Sequence, residues 1–367
     1  MSMALRSARE LAALFSGRPR HWPDTATAVL GGDRFLVNVS AGIGDALLAL
    51  PMIRVLRAAR PAAQITLLAT PVNAALLGPE PGIDATITWP AAPSAADLIA
   101  LSREVMAGRF DAALATLPSD LVSTALVLKL GGVPLRLKHR LANDDRARDW
   151  QFLFTHLVEP QPAEHKVHEN LRLLEAAGLG AGPRSVAELV TLMQLNLMAT
   201  DRERAAARQP RLAGRARIGF HPGCKPGWEF KRWNPAGFAS VADQLSAEKG
   251  AEIIWFGGAD EAGDVAAIQQ QMRSPSLSVV GQLAIRDTAA LIGSCDVFVS
   301  NDSGPMHLAT AVGVPTIGLF SDTNPRTRPA RTGPFGPSHI VIGRADLQAI
   351  TPADVVEAVQ RLLSRAG

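Results

Sequence analysis

Apolar residues in this chain fall into short runs separated by helical stretches, and the alternation occurs twice. Phe35–Val39 is an apolar run of strand length that ends at the turn Ala41-Gly42-Ile43-Gly44. A helical pattern follows from Asp45 to Ala59, and Gln64–Ala69 is strand-like again. Strand, glycine-bearing turn, helix and strand make one βαβ unit of a parallel sheet. Ala85–Trp89 and Ala112–Thr116 read as further strands, with helices over Ala95–Ala107 and Leu121–Leu130. His165–Ala177 sets Leu171 and Leu174 on one helix face. Ahead of all this, Met1–Phe15 has helical spacing and Gly17–Asp24 reads as a connector.

The character changes across Val186–Ala213, from Leu/Met-rich to Arg/Ala-rich, ending on Pro210 and Gly214. A domain boundary is expected there, giving domains 1–200 and 201–367. The alternation then restarts. Strands are expected at Arg217–Phe220, Glu252–Phe256, Leu277–Val280, Val297–Ser300 and Thr316–Phe320. Helices are expected at Pro235–Lys249, Ala262–Met272, Asp287–Ile292 and Pro305–Ala311. Asp354–Leu363 closes the chain as a helix and is a candidate to fold back onto the first domain. The pattern predicts an α/β fold of two Rossmann-like halves facing a central cleft.

Bulk properties narrow this picture. A chain of 367 residues suits two domains of roughly 150–200 residues each. At 47% hydrophobic it is far too apolar to be disordered. A mean hydropathy of +0.11 raises the question of membrane spans. Runs such as Ala46–Leu50 and Thr316–Phe320 fall well short of the roughly 18–20 residues a spanning helix needs. Met1–Arg20 lacks the apolar stretch of a signal peptide, so a cytoplasmic protein is expected. Cys224 and Cys295 form no CxxC, which argues against a disulfide scaffold or structural zinc. A net charge of +3 suits phosphorylated ligands or an anionic membrane surface. No dense basic stripe interleaved with aromatics points to nucleic acid.

Four stretches carry candidate chemistry. Asn301-Asp302-Ser303-Gly304-Pro305-Met306-His307 follows a predicted strand and opens a predicted helix. Ser303 is placed to cap that helix, and Pro305 suits its first turn. The first-turn N–H groups and the helix dipole make an anion site suited to a diphosphate, although a plain N-cap would read the same way. Gly42-Ile43-Gly44-Asp45 follows the first strand, and Asp45 either caps its helix or faces a ligand at the strand end. Leu47 stands where GxGxxG would have its third glycine, so a dinucleotide site is poorly supported. His221-Pro222-Gly223-Cys224-Lys225-Pro226 runs on to Phe230-Lys231-Arg232-Trp233. Its cations Lys225, Lys231 and Arg232 could neutralise phosphate or simply make a solvated basic loop, while Trp233 is expected to pack. Gly257-Gly258-Ala259-Asp260-Glu261 ends another strand. Glu261 could bond a ribose diol or act as a helix N-terminal acid. There is no HExxH, EF-hand or DxD cluster, and Asp144-Asp145 lacks a strand context. His221 and His307 make no convincing metal pair, so neither a metal nor a cofactor is expected.

Together these stretches resemble glycosyltransferase family 9, the ADP-heptose:lipopolysaccharide heptosyltransferases. The resemblance runs from Phe35 to Ile342. It is carried by Gly44-Asp45-Ala46-Leu47-Leu48-Ala49-Leu50-Pro51 with Arg54, Leu56, Arg57 and Pro61. The helix His165–Gly178, Ile218–Gly223 with Lys231-Arg232-Trp233, and Phe256-Gly257-Gly258 continue it. Its most specific part is Asn301–His307 with Ala309, Ala311, Gly313, Pro315 and Phe320. The resemblance implies a GT-B fold and inverting, metal-independent sugar transfer. It implies Asp45 and Lys231 as catalytic residues, Asp45 being the general base. It implies Lys231 and the Ser303-Gly304 backbone as diphosphate binders and Glu261 as the ribose ligand. The implied substrate contacts also include Gly44, His221, Gly223, Lys225, Asp302, Pro305 and His307. ADP-heptose is the implied donor, and a glycan or lipid-linked acceptor such as lipopolysaccharide core the implied partner, met at the inner membrane surface.

Three departures bear on the acceptor: a longer segment before Phe35, a longer Lys225–Phe230 loop, and an unmatched Leu135–Arg148. Two other functions fit the same fold. A nucleotide-sugar 2-epimerase would lack the Gly44-Asp45 opening. A non-catalytic nucleotide-sugar binding protein would not need both Asp45 and Lys231.

Overall fold

The structure is a computed structural model that describes residues 32–116, 122–140, 153–161, 163–179, 182, 184–324 and 327–366. The expected helix Met1–Phe15, the connector Gly17–Asp24 and the pair Asp144-Asp145 lie outside the described residues. Two compact units divide the chain between Arg184 and Ser185, with Ala163–His165 counted to the second.

The first unit holds strands β1 (Arg34–Val39), β2 (Gln64–Ala69), β3 (Ala85–Thr88), β4 (Ala112–Ala115), β5 (Leu135–His139) and β6 (His156–Val158). Its helices are α1 (Ile43–Leu47), α2 (Leu50–Ala59), α3 (Pro71–Leu77), α4 (Ala95–Gly108), α5 (Val122–Leu130) and α6 (Lys166–Ala176). The strands pair in parallel in the order β3-β2-β1-β4-β5-β6. β1 is buried on both faces beyond Arg34, as a central strand of a doubly covered parallel sheet must be.

The helix expected from Asp45 to Ala59 is two helices. Pro51, in the first turn of α2, has no N–H to give to residue 47, so the chain restarts there. β5 escaped the sequence reading because its alternate positions are Arg136 and Lys138, both buried. Arg136 donates from Nε to the Leu153 carbonyl at 2.7 Å, and Lys138 lies over the Phe154 ring at 5.2 Å. Partners of that kind make buried cations tolerable.

The second unit opens with helices α7 (Val186–Met193) and α8 (Ala199–Arg208). Its strands are β7 (Arg217–His221), β8 (Glu252–Trp255), β9 (Leu277–Ser278), β10 (Val297–Asn301), β11 (Thr316–Ser321) and β12 (Ile340–Arg344). Its later helices are α9 (Pro235–Lys249), α10 (Ala262–Gln271), α11 (Ile285–Ile292), α12 (Gly304–Ala311), α13 (Pro329–Thr332) and α14 (Pro352–Ala366). The sheet order is β12-β11-β10-β7-β8-β9. Counted within the unit, this is the first sheet's order again. Both match the dinucleotide-fold arrangement, whose switch point lies between the first and fourth strands.

The Val186–Ala213 stretch belongs with this unit. Buried Asp201 of α8 accepts from Arg286 Nε of α11 at 3.1 Å and from the Met198 N–H at 3.0 Å. The closing helix α14 packs against α9 and the strands β10–β12 of its own unit. Buried aromatics join one face of the sheet to α9. Trp233 and Phe238 centroids lie 5.0 Å apart, as do those of Phe220 and Trp255. Asn234 caps α9 by accepting the Gly237 N–H, and Gly250 ends it at φ 58, a left-handed turn that glycine allows.

Candidate active site

The strand ends at the second unit's switch point carry most of the sequence candidates. Parallel register sets Ser300 of β10 beside His221 of β7. His221 is 2% exposed, and its Nε2 lies 3.0 Å from the Glu261 carboxylate. Its Nδ1 lies 2.9 Å from the Ser303 hydroxyl. Glu261 ends a tight turn after β8 and also accepts the Gly258 N–H at 2.9 Å. Burial alone would raise its carboxyl, but His221, that N–H and Arg232 outweigh burial and hold it below the ordinary glutamate range. A Cβ on Gly223 would stand 1.5 Å from Glu261 Oε1, so glycine there is what lets the carboxylate reach His221.

Asn301 joins the loops around this group. Its Nδ2 donates to the Pro222 carbonyl at 2.6 Å, and its Oδ1 accepts the Trp233 N–H at 3.2 Å. The Trp233 indole is buried and donates to the Ile350 carbonyl at 3.0 Å. This anchors the loop that carries Lys231. The Lys231 ammonium sits 2.6 Å from Asp302 Oδ2 and 4.6 Å above the Trp228 ring. Arg232 pairs with Asp264 at 2.9 Å. Lys225 is exposed on the same loop, and His307 is buried in α12.

Ser303 stands at the N-cap of α12 but makes no side-chain cap bond, contrary to the expectation that it caps the helix. Its hydroxyl turns instead to His221 and to Ser300, at 2.9 Å each. Pro305 falls in the first turn, as expected, and has no N–H to satisfy. The N-cap side chain therefore leaves the first turn of α12 uncapped, which is the arrangement of an anion site.

In the first unit, Gly42 is the N-cap of α1 and Asp45 lies in its first turn. Asp45 does not serve as the cap. Its carboxylate is held by the Lys166 ammonium of α6 at 2.6 Å, and it is 21% exposed. Buried Asn73 donates to the Val39 and Ala41 carbonyls at 2.7 and 2.9 Å, which fixes the turn holding Gly42 and Gly44. So the structure groups His221, Gly223, Glu261, Lys231, Asp302, Ser303, Gly304 and Pro305 in the second unit. Gly44 and Asp45 stand in the first, with Lys166 beside Asp45.

Sequence reasoning missed three residues that shape these sites. Asn301 lay inside a singled-out motif without being given a role. Asn73 and Lys166 lie 34 and 121 positions from the groups they hold, and no local pattern marks them. Among the described residues, no group of three or more His, Cys, Asp or Glu could hold a metal ion. No helix among them is long and apolar enough to cross a membrane.

The chain has clear counterparts among known proteins. The model of glycosyltransferase family 9 (heptosyltransferase) matches residues 98–357. Lipopolysaccharide heptosyltransferase 2 of Salmonella typhimurium is 25% identical over 363 residues, covering 91% of this chain and 99% of that protein. A glycosyl transferase family 9 structure from Veillonella parvula superposes with a TM-score of 0.77 at 22% identity, over 93% of this chain and 100% of that one. The E. coli ADP-heptose lps heptosyltransferase II structure gives 0.75 at 24% identity, over 91% of this chain and 99% of that one. At these identities, the two structural likenesses speak to the fold.

Proposed function

The chain belongs to glycosyltransferase family 9, the heptosyltransferases, and from that premise we propose that it moves heptose from ADP-heptose to a hydroxyl of a lipopolysaccharide-core acceptor, with inversion and without a metal. The observation that carries this reading is the second unit's cluster: an uncapped helix N-terminus, Lys231, and the buried carboxylate Glu261 at one switch point. Lys231 and the Ser303-Gly304 backbone hold the diphosphate. Glu261 takes the ribose diol. Gly223 leaves room for that carboxylate, Asp302 orients Lys231, and Lys225 adds positive charge at the loop's exposed side.

Asp45 is the general base of the first unit. It takes the proton of the acceptor hydroxyl as the oxygen attacks the anomeric carbon from the face opposite the diphosphate. The C–O bond to the diphosphate breaks, and its electron pair leaves with the phosphate. Charge grows on that leaving group, and in a metal-free site fixed cations and helix N–H groups must stabilise it. Lys166 orients the Asp45 carboxylate, and Gly44 keeps the turn close to the backbone. The basic net charge of +3 suits an anionic acceptor met at the cytoplasmic face of the inner membrane.

Calorimetric binding of ADP, UDP and GDP, with and without chelator, tests the donor half. ADP should bind tightest, and chelator should change nothing. A preference for UDP or GDP, or loss of ADP binding with chelator, would overturn the donor or the metal-free mechanism.

A further inference from the structure

We propose that the outer face of α4 and α5 is where the first unit docks on an anionic phospholipid surface. This rests on the reading that the acceptor is met at the inner membrane, and it gives that contact a place on the chain.

The first observation is apolar. α4 and α5 pack side by side. Right-handed crossovers from β3 to β4 and from β4 to β5 put both on one face of the sheet. Gly131, which follows α5, lies against Val105 of α4, where a Cβ would stand 2.4 Å from the valine side chain. Met106 and Leu130 are the chain neighbours of that contact, and they are 55% and 44% exposed. Ile99, 52% exposed, stands seven positions before Met106, two turns away on the same helix face. Large apolar side chains exposed singly are ordinary, but three gathered on one helix pair call for a partner.

The second observation is the charge around them. Arg103 shares the face of Ile99 and Met106, four positions after one and three before the other. Arg109 follows the end of α4, and Lys129 lies in the last turn of α5. All three are exposed, and no side chain of the three has a hydrogen-bond or ion-pair partner among the described residues. Arg34 adds a fourth cation, its Nε donating to the Gly108 carbonyl at 2.7 Å. The acids nearby do not cancel these charges. Asp97 is taken up in the capping box of α4, and Asp111 accepts the Arg34 N–H at 2.9 Å. Glu104 sits about 140° round the helix from Ile99. Apolar side chains rimmed by unpaired cations complement a lipid surface, with acyl chains for the first and phosphates for the second. A neutral protein face would leave the cations unmatched.

The third observation is strain. Arg109 ends α4 at φ 47 and ψ 48, and among the described residues it is the one non-glycine with positive φ. Glycine is the usual residue in that turn, because a Cβ is crowded there. Arginine at this place costs backbone strain and sets a cation beside Met106, whose carbonyl accepts the Arg109 N–H at 3.1 Å. Strain of this kind concentrates where function needs a particular side chain.

The test is co-sedimentation of the full chain with vesicles of phosphatidylcholine alone and of phosphatidylcholine mixed with phosphatidylglycerol. The wild type should bind the anionic vesicles more tightly by about tenfold or more, and salt at about 1 M should release it. Arg103→Gln, Arg109→Gln and Lys129→Gln combined should weaken binding by about 100-fold, at about fivefold per cation. Met106→Asp should weaken it by about tenfold. Arg109→Gly should bind about fivefold more weakly and unfold no earlier than the wild type, since glycine relieves the turn. Equal binding to both vesicles, no binding by the wild type, or unchanged binding in the triple variant would overturn the proposal. So would a dimer in sedimentation velocity that Met106→Asp dissolves, which would give the face to a second copy of the chain. None of these residues is assigned to donor binding or catalysis, so ADP affinity and turnover on a deacylated acceptor should stay at the wild-type level in every variant. Failure of the transferase reading would show differently, as a wild type that binds anionic vesicles yet neither binds ADP nor turns over.

Discussion

Each of the two units carries a six-stranded parallel sheet in one and the same order, and each turns at the same switch point. After β1 that point holds a short turn, with one carboxylate, Asp45, paired to one ammonium, Lys166. After β7 it holds a buried relay from Gly258 through Glu261 and His221 to Ser303, beside Lys231 and Asp302. Topology therefore decides where a ligand is met, and the side chains grafted there decide the chemistry. The sparse site suits a group that must reach out to a proton. The dense one suits a group that must hold an anion still.

The strongest way to break this contrast is Asp45→Asn. Turnover should fall by about 10³-fold, within the 10²–10⁴ range for a general base. A steady-state rate assay that finds full activity would remove Asp45 from the mechanism. Trp233→Ala acts only on the second unit. It leaves a cavity under the Lys231 loop and strips the Ile350 carbonyl of its donor, so stability should drop by about 3–5 kcal/mol in denaturant unfolding. A loss under 1 kcal/mol, roughly that of a surface change, would mean the anchor is dispensable.

Acid should also single out the second unit. Burial, only partly offset by a hydrogen bond that the ring donates to the Phe335 backbone carbonyl, lowers the His339 pKa from 6.5 to about 4. Its Nδ1 accepts the Thr316 N–H, which requires the neutral ring. The unfolded chain then binds this proton more readily than the folded one. Stability is complete above the ordinary imidazole value and is lost as pH falls from about 6.5 towards 4, by about 2–3 kcal/mol. Unfolding midpoints across that range should show the slope in the wild type and a flatter line in His339→Asn. Glu261 contributes in a lower window, because its stability is present above 4.5 and is lost as pH falls through its depressed folded value. The smallest effect is that of Gly223→Ala, whose new methyl would push Glu261 off His221. Donor affinity should weaken by about 10–100-fold, the worth of a charge-assisted bond or two. An unchanged Kd would show that Glu261 does not touch the donor.

How much of this was legible in the sequence follows from the reach of each interaction. Hydrophobic runs marked the buried strands β1, β2, β7, β8 and β10, because burial on both faces demands them. β5 and the edge strand β12 were not marked. Arg136 and Lys138 break the apolar run of β5, and β12 is only part-buried. Glycine, proline and cap residues announced the turns at Gly42–Asp45 and Asn301–His307, since those signals are local. The Ser303 side chain was misassigned as a cap because its partner His221 lies 82 residues away. Lys166 was invisible for the same reason. Motif resemblance supplied roles for Asp45, Lys231 and Glu261, but not the bonds that hold them.

The central claim is that the second unit holds the donor while the first supplies the base. Calorimetric donor affinity of Asp45→Asn and Lys231→Ala, measured side by side with ADP-heptose, tests it most directly. The account predicts that Asp45→Asn binds within about twofold of the wild type and that Lys231→Ala binds more weakly by about tenfold or more, the loss of one charge-assisted contact. A loss of donor affinity in Asp45→Asn equal to that in Lys231→Ala, or none in Lys231→Ala, would contradict it.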